Sequence, residues 1–199
     1  MKEKQNIHAG YYSEEELKGL GISKIGKNVL ISNKCCIYQP DMIEIGDNVR
    51  IDDFCILLGK IKLGHNVHIA AFCLLSGGAG IVMEDYSGLA QKCSLYTKSD
   101  DYSGRSMTNS TIPDKFKEVR SGEIVIGRHV IVGASSVVLP GVTIGEGASV
   151  GAMSLVNRSI EDWTVNIGIP CRKLKDREKG LLDLEKEYEK EYRNGCGYE

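Results

Sequence analysis

A six-residue period constrains the fold of this chain more than any other feature of its sequence. From Ile126 the chain reads IGRHVI, VGASSV, VLPGVT, IGEGAS, VGAMSL and VNRSI, so an aliphatic residue opens each unit. The fifth residue of the first five units is small or β-branched. A repeat this regular predicts a solenoid, in which each repeat packs on its neighbours. No helical period separates the units, which argues against ordinary βαβ units.

The N-terminal half has the same period and indicates three units per coil. Ile45 and Leu63 are 18 residues apart, whereas Ile25 and Ile45 are 20 apart, as are Leu63 and Met83, which predicts a two-residue insertion at one corner. We therefore expect an all-β solenoid of short, stacked parallel strands whose unit-opening residues point inward. Its tight corners need left-handed backbone conformations, which Asn tolerates. The predicted inward residues are Ile25, Ile31, Ile37, Ile45, Ile51, Leu57, Leu63, Ile69, Leu75, Met83, Leu89 and Leu95, and the predicted corner residues are Asn28, Asn48 and Asn66.

Four of the seven cysteines occupy one position of the repeat. Cys35, Cys55, Cys73 and Cys93 each stand fifth in the second unit of successive coils. This spacing favours a buried ladder of small side chains. A metal site is the alternative, but the sequence offers no CxxC pair and no His beside the cysteines.

Composition narrows the class of protein. The chain has 199 residues, of which 42% are apolar and 26% charged, with a net charge of -2. This balance fits a compact domain and shows no basic surplus for nucleic-acid binding. The apolar runs are too short to insert into a membrane, and Met1–Gln5 lacks the apolar stretch of a secretory signal. We therefore expect a cytoplasmic protein, in which disulfides are disfavoured.

The pattern from about residue 21 to 175 resembles that of the hexapeptide-repeat acyltransferases. The stretch from Ile167 to Lys173, with Gly168-Ile169-Pro170, also matches the G-x-P sequence that ends this family's repeats. The resemblance implies a left-handed parallel β-helix over residues 23–175, with a protruding loop at about 99–122. Residues 1–22 are then an N-terminal segment whose short helix begins after the capping box of Ser13 and Glu16. Residues 176–199 are a C-terminal helix and tail.

The same resemblance implies a homotrimer that uses acetyl-CoA and no metal. In this family the long loop covers the acceptor site of a neighbouring subunit. Its C-terminal coils form the acetyl-CoA groove, which maps here onto Gly133, Ala134, Ser135, Gly151 and Ala152. The resemblance also suggests contacts to the phosphates of CoA by Arg158, Arg172 and Lys173, although all three are equally consistent with ordinary solvated charges.

The candidates for acid–base chemistry are His68, Asp100 and Asp101. His8 precedes the fold, and His65 and His129 are expected at exposed corners. His68 instead points outward from its strand, with Gly88 beside it in the next coil. In the sugar acetyltransferases of this family a loop histidine is the general base, and here Asp100 stands at that place.

We interpret His68 as the general base, with Asp100 or Asp101 orienting its imidazole. The two aspartates are alternatively sugar ligands or turn caps, and Asp100 is the other candidate for the base.

These features together predict an acetyl-CoA-dependent O-acetyltransferase that acts by direct transfer. The expected acceptor is a carbohydrate: a sugar, a sugar nucleotide or a polysaccharide precursor. N-acetylation of an amino-sugar nucleotide is the alternative that the resemblance leaves open. A noncatalytic solenoid scaffold is a third interpretation. A zinc enzyme on the same fold would need three His at metal spacing, which this sequence lacks.

Overall fold

In the computed structural model, residues 10–192 are described and form a parallel β-solenoid of about 7 turns. His8, Cys196 and the ends of the predicted N-terminal and C-terminal segments lie outside the described residues. No helix within residues 10–192 is long and apolar enough to cross a membrane.

Within residues 10–192, twenty strands form two large, mainly parallel sheets and one small hairpin. A ten-stranded sheet covers two faces of the solenoid and comprises β1 (Lys24–Ile25), β3 (Cys36–Tyr38), β4 (Ile43–Ile45), β6 (Ile56–Leu63), β8 (Leu74–Met83), β10 (Ser94–Tyr96), β13 (Ile124–Ile126), β15 (Val137–Val138), β16 (Thr143–Ile144) and β18 (Leu155–Val156). An eight-stranded sheet forms the third face and comprises β2 (Leu30–Ile31), β5 (Arg50–Ile51), β7 (His68–Ile69), β9 (Gly88–Leu89), β14 (Ile131–Val132), β17 (Ser149–Val150), β19 (Thr164–Ile167) and β20 (Arg172–Asp176). The hairpin pairs β11 (Lys98–Ser99) with β12 (Arg120–Ser121).

The register predicted from the period is confirmed. Ile45 pairs with Ile25 below and Leu63 above, and the inward residues of the other two faces stack in the same way. In β6 burial alternates strictly: Leu57, Gly59, Ile61 and Leu63 are buried, and the residues that alternate with them are exposed. Burying each side chain of such a column stabilises the fold by about 1.5–3 kcal/mol, because its apolar surface is removed from water.

The corners have the backbone conformation that the Asn residues predict. Asn28, Asn48 and Asn66 have φ values of 53°, 56° and 56°. The predicted insertion is a short 3-10 helix over Pro40–Met42 in one coil and a glycine-rich bend ending at Gly80 in another. Gly80 has a φ of 109°, which an L side chain rarely adopts.

The cysteine ladder lies in the core as predicted. Cys55, Cys73 and Cys93 are buried, and Cys35, in the lowest coil, is partly buried. Each thiol donates a hydrogen bond to a backbone carbonyl of the adjacent coil; for Cys55 this is the oxygen of Ala70, at 3.2 Å. Ser136 and Ser154 continue the ladder and donate to the Gly151 oxygen. The ladder therefore satisfies polar groups inside the solenoid.

The N-terminal helix and the long loop interrupt the repeat where the sequence indicates. Helix α1 (Glu14–Gly19) begins with both hydrogen bonds of the predicted capping box between Ser13 and Glu16. The loop leaves after β10 and is closed at its base by the β11–β12 hairpin. It contains a second 3-10 helix over Asp114–Phe116.

The C-terminal segment differs in detail from the prediction. Parallel coils end at β19, and β20 runs back antiparallel to it, because the chain reverses at Gly168, whose φ is 112°. Helix α2 (Leu181–Tyr192) therefore starts several residues later than the boundary at residue 176 suggests. It packs on the outside of the same chain's solenoid, beside the eight-stranded sheet.

The buried ladder predicts a pattern of thiol reactivity. In the native protein, Cys55, Cys73 and Cys93 should resist a thiol reagent, because labelling needs an exposed thiolate. Cys36, which is exposed, should label rapidly and serves as the internal control. Peptide mapping after labelling measures this, and fast modification of all three ladder cysteines would refute the register.

Candidate active site

His68 stands on the outer surface of the eight-stranded sheet, as its place in the repeat predicts. Its row runs from Arg50 through His68, Gly88 and Ile131 to Ser149 on successive strands. A methyl group built on Gly88 would lie 3.5 Å from both the His68 oxygen and the Ile131 Cδ1, which is ordinary contact. A small side chain at position 88 would therefore fit between these two neighbours without a clash.

The carboxylate that contacts His68 is Asp52. His68 Nε2 lies 2.9 Å from Asp52 Oδ2, and the side chains of the two residues are 52% and 18% exposed, respectively. The other carboxylate oxygen of Asp52 accepts hydrogen bonds from Arg50 Nε at 2.6 Å and from the Tyr11 hydroxyl at 3.0 Å. Tyr11, Arg50 and Asp52 thus form a connected polar cluster below the imidazole.

This cluster keeps Asp52 ionised. Burial raises the pKa of its carboxyl, but the hydrogen bonds from His68, Arg50 and Tyr11 outweigh burial and hold the pKa below its usual value. An ionised carboxylate only accepts hydrogen bonds, so Nε2 of His68 carries the hydrogen. The lone pair of the neutral imidazole is then on Nδ1, and Asp52 is placed to stabilise the ring when it gains a proton.

A groove of about 700 Å³ runs past His68 between the sheet and helix α2. The row of His68, Gly88 and Ile131 forms its floor, and Leu181 and Leu184 of α2 form its wall. Ala70, Ala90 and Gln91 line its edge toward the next corner. The groove is therefore mainly apolar, with the imidazoles of His68 and His129 among its polar groups.

Helix α2 is held against the sheet by charged and aromatic contacts. Glu185 pairs with Arg128 and, at 2.8 Å, with His129 Nε2. The Tyr188 hydroxyl lies 3.2 Å from the Asn66 Oδ1. The expectation that His129 is exposed is wrong, because α2 covers this corner and leaves its side chain only 8% exposed. Burial lowers the pKa of His129, and the neighbouring Arg128 and Arg177 lower it further.

His65 is a corner residue, as predicted. Its Nδ1 accepts a hydrogen bond from the Asp47 backbone N–H at 3.0 Å, and its own N–H donates to the Asp85 carboxylate at 2.7 Å. These bonds join successive coils. His65 therefore has a role in the corner that needs no substrate.

Asp100 and Asp101 lie in the protruding loop, away from the groove that contains His68. Asp101 accepts hydrogen bonds from the backbone N–H groups of Ser103, Arg105 and Ser106 at 2.8, 3.0 and 3.1 Å. The hydrogen bonds from the Ser103 side chain and from these amides lower its pKa to about 2. Within one chain, Asp101 is thus a turn cap, and Asp52 takes the place at His68 that we expected for a loop aspartate.

Asp100 borders a second cavity, of about 640 Å³, together with Glu118 and Arg120. Its Oδ2 accepts a hydrogen bond from the Asn109 N–H at 3.1 Å. One oxygen of this carboxylate has no hydrogen bond among residues 10–192. Asp100 therefore keeps one carboxylate oxygen open at the border of this cavity.

Sequence reasoning missed Asp52 and the hydrogen bond that Tyr11 makes with it. Arg50 and Asp52 flank the inward Ile51, so both point outward one coil below His68, and this alternation was readable from the period. Tyr11 belongs to the N-terminal segment, whose path over the first coil has no periodic signal. Its bridge to Ser32 brings it there.

The residues assigned to the donor groove lie on the upper coils. A side chain on Gly133 would come within 2.4 Å of the Ala152 nitrogen, so this glycine is needed for the close stacking of two coils. Gly151 lies similarly against the Ile167 side chain, whereas Ser135 occupies a left-handed corner and Ala134 and Ala152 stand beside these corners. These positions leave backbone close to the surface.

The three basic residues assigned to CoA phosphates are exposed. Lys173 pairs with Asp176 at 2.7 Å, and Arg172 donates to the Cys171 oxygen. Arg158 is exposed on the loop that follows β18. Within residues 10–192, no cluster of three or more His, Cys, Asp or Glu side chains could hold a metal ion.

Comparison with known proteins identifies relatives over nearly the whole chain. The family model "Bacterial transferase hexapeptide (six repeats)" matches residues 42–77 and 123–158. The chain is 40% identical to the dTDP-4-amino-4,6-dideoxy-D-glucose acyltransferase of Escherichia coli over 178 residues, which cover 88% of this chain and 93% of that protein. A galactoside O-acetyltransferase of E. coli is 42% identical, but over only 31% of this chain and 32% of its own length.

A solved structure is also similar over almost the whole chain. The structure of AntD, an N-acyltransferase from Bacillus cereus, in complex with dTDP and 3-hydroxybutyryl-CoA superposes with a TM-score of 0.92 and 47% identity. The match covers 94% of this chain and 99% of AntD. A further AntD structure holds dTDP-4-amino-4,6-dideoxyglucose and coenzyme A.

The hydrogen bonds of Asp101 predict that it orders the loop. Asp101→Ala should speed tryptic cleavage after Arg105, Lys115 or Lys117 several-fold, because three backbone N–H groups lose their acceptor. Asp114→Ala is the matched control: it removes a carboxylate of the same loop that is 98% exposed. Time courses of limited proteolysis on the native protein measure the difference. Equal cleavage rates for the unmodified chain and Asp101→Ala would contradict the capping role.

Proposed function

This chain belongs to the hexapeptide-repeat sugar acyltransferases, and we propose that it transfers an acyl group from acyl-CoA to the amino group of a dTDP-linked 4-amino-4,6-dideoxy sugar. The similarity to the E. coli enzyme along 93% of that enzyme's length carries this proposal. The full-length likeness to AntD, bound to dTDP and an acyl-CoA, supports it. Of the two acceptors that the sequence leaves open, these relatives favour the amine over the hydroxyl.

The cluster at His68 supplies the chemistry that such a transfer needs. As the sugar nitrogen attacks the thioester carbonyl, a C–N bond forms, and the nitrogen becomes positively charged. The Nδ1 of His68 accepts the surplus proton, and Asp52 stabilises the resulting imidazolium. The C–S bond then breaks, and the departing thiolate takes this proton from His68 to become the thiol of CoA, which restores the neutral imidazole. Backbone N–H groups stabilise the oxyanion that forms between these steps.

The donor is acyl-CoA, with acetyl-CoA as the first candidate. The upper coils around Gly133 and Gly151 leave the backbone close to the surface for the pantetheine arm, and Arg172 and Lys173 supply cations for its phosphates. The apolar groove between the sheet and α2 also offers room for an acyl chain longer than acetyl.

An activity assay tests both the acceptor and the base. Purified protein with acetyl-CoA and dTDP-4-amino-4,6-dideoxyglucose should release CoA thiol, and mass spectrometry should find the acyl group on nitrogen. The matching sugar nucleotide with a hydroxyl at C4 should react far more slowly. Faster turnover of that hydroxyl sugar would return the O-acetyltransferase interpretation to first place.

The role of His68 predicts a graded series of variants. His68→Ala should lower kcat by about 10²- to 10⁴-fold, and Asp52→Asn by less, because Asp52 acts through the imidazole. His65→Ala is the matched control and should keep its rate. If Asp100→Asn abolishes turnover while His68→Ala does not, the loop carboxylate is the base instead.

We also propose that the active enzyme is a homotrimer. The face formed by β3, β6, β8 and β10 carries several exposed apolar side chains, namely Tyr38, Ile56, Leu58 and Tyr96. Exposed apolar side chains grouped on one face are typical of an interface between subunits, and three copies close a ring around one axis.

Light scattering tests this assembly. The protein should have about three times the 21.8 kDa mass of one chain at micromolar concentration. Leu58→Glu should dissociate it, because a charge cannot be buried unpaired in the interface. Lys62→Glu is the matched control, since Lys62 is an exposed residue of β6 that lies on another face of the solenoid. A monomeric unmodified protein, or a trimer unaffected by Leu58→Glu, would refute the proposed interface.

A further inference from the structure

Two corners of the solenoid require left-handed backbone in almost every coil, and they meet this requirement with different residues. Asn, which tolerates this conformation, fills the lower coils of the first corner at Asn28, Asn48 and Asn66. The same row of the second corner contains Phe54 and Phe72, with φ values of 60° and 65°. A bulky aromatic residue is among the least suited to a positive φ. The backbone alone therefore does not explain this pair.

The first corner shows what accompanies an aromatic residue in this conformation. Its upper coils carry Tyr86, His129 and Trp163, again with positive φ values. All three are covered from outside the solenoid: the ring of Tyr86 lies 6.1 Å from that of Tyr188 in α2, and the ammonium of Lys179 lies 5.2 Å from that of Trp163. His129 is paired with Glu185 of α2. At the first corner, the aromatic residues with positive φ values therefore make contacts with α2 and the segment before it.

At the second corner, the two phenylalanines stack on each other and remain half exposed. Their ring centroids are 5.1 Å apart at an angle of 23°, and Phe54 and Phe72 keep 50% and 53% of their surfaces open. The two residues thus present an exposed aromatic surface that no residue among 10–192 shields fully. By comparison with the first corner, this surface fits a contact made with a group from outside the chain.

Lysines flank this pair in the coils directly below and above. Lys34 stands one coil below Phe54, with its ammonium 5.5 Å from the ring centroid, and it also pairs with Asp53. Lys92 stands one coil above Phe72, in the same left-handed conformation. Among residues 10–192, Lys92 makes no ion pair. From the lowest of these four coils to the highest, the corner therefore carries a cation, two aromatic rings and a second cation.

We infer that this corner, Lys34–Phe54–Phe72–Lys92, binds the nucleoside diphosphate part of the sugar nucleotide. The thymine base stacks on the open aromatic surface, and the diphosphate lies within reach of the ammonium of Lys92. Phe72 follows Ala70 by two residues, and Lys92 directly follows Gln91; both Ala70 and Gln91 line the groove that contains His68. A nucleotide bound here thus has its sugar end at that groove. This inference rests on the proposed function, since it assumes a sugar-nucleotide substrate.

Substitution by Asn separates recognition from folding. Phe54→Asn and Phe72→Asn place at this corner the residue that the first corner uses, so the melting temperature should stay the same or rise. Calorimetric titration with dTDP should show affinity reduced by about 5- to 100-fold, because base–aromatic stacking is lost. Affinity for coenzyme A should not change. Phe72→Tyr should keep dTDP binding, and Met42→Asn, which removes an exposed apolar side chain at another corner, is the matched control.

The ammonium of Lys92 is tested with two probes. Lys92→Met should weaken binding of dTDP and reduce its dependence on salt, while binding of thymidine should change little, because thymidine has no phosphate. Equal weakening of both probes would contradict a phosphate contact.

Three outcomes overturn the inference. If the unmodified chain does not bind dTDP, the proposed function fails together with it. If the unmodified chain binds dTDP and both Asn variants bind it equally well, the inference alone fails. If the Asn variants lower the mass measured by light scattering, the phenylalanines belong to a contact between subunits and not to a nucleotide site.

Discussion

The structure depends on one constraint: each coil must stack on the next at a fixed register. Backbone hydrogen bonds join residue to residue between coils, as from Arg50 to the Val67 oxygen and from His68 to the Ser87 oxygen. They hold only if every inward column carries side chains of matching size and every corner turns in the same number of residues. The buried aliphatic columns and the left-handed corners are the two ways in which the sequence meets this condition. Outward side chains between these positions are not constrained by the stacking of coils. The residues of the candidate active site are among them.

The period of the sequence predicts this framework well, because buried inward positions and left-handed corner positions recur in the structure with the same period. The period alone predicts that Ile69 points inward, that His68 points outward and that Gly88 lies beside His68 in the next coil. Contacts between side chains of different coils were not predictable in this way. The bond between His68 and Asp52 depends on the side-chain conformations of outward residues, which carry no periodic signal. The covering of His129 depends on where α2 docks, and the capping role of Asp101 depends on an aperiodic loop.

The arrangement of groups also indicates how one fold serves both hydroxyl and amine acceptors. Inward columns and corners fix the scaffold, whereas outward rows such as Arg50, His68 and Gly88 lie about 4.8 Å apart on adjacent strands. That spacing puts a residue from one coil within hydrogen-bonding distance of residues in the next, as Asp52 and His68 demonstrate. Relatives with different acceptors can therefore share a framework and differ in a few outward side chains. The similarity along the whole chain to dTDP-amino-sugar acyltransferases carries more information about the acceptor than the repeat itself.

Helix α2 has a consequence for how the solenoid comes apart. In a stack where each layer touches only the layers next to it, the ends can fray while the middle stays folded, and cooperativity is weak. In this chain, α2 and the segment before it reach several layers at once: Tyr188 touches Asn66, Glu185 touches Arg128, and Arg177 donates to the Gly147 oxygen. These contacts span four successive coils. Because these contacts join the coils to one another through α2, the upper coils unfold together rather than one at a time.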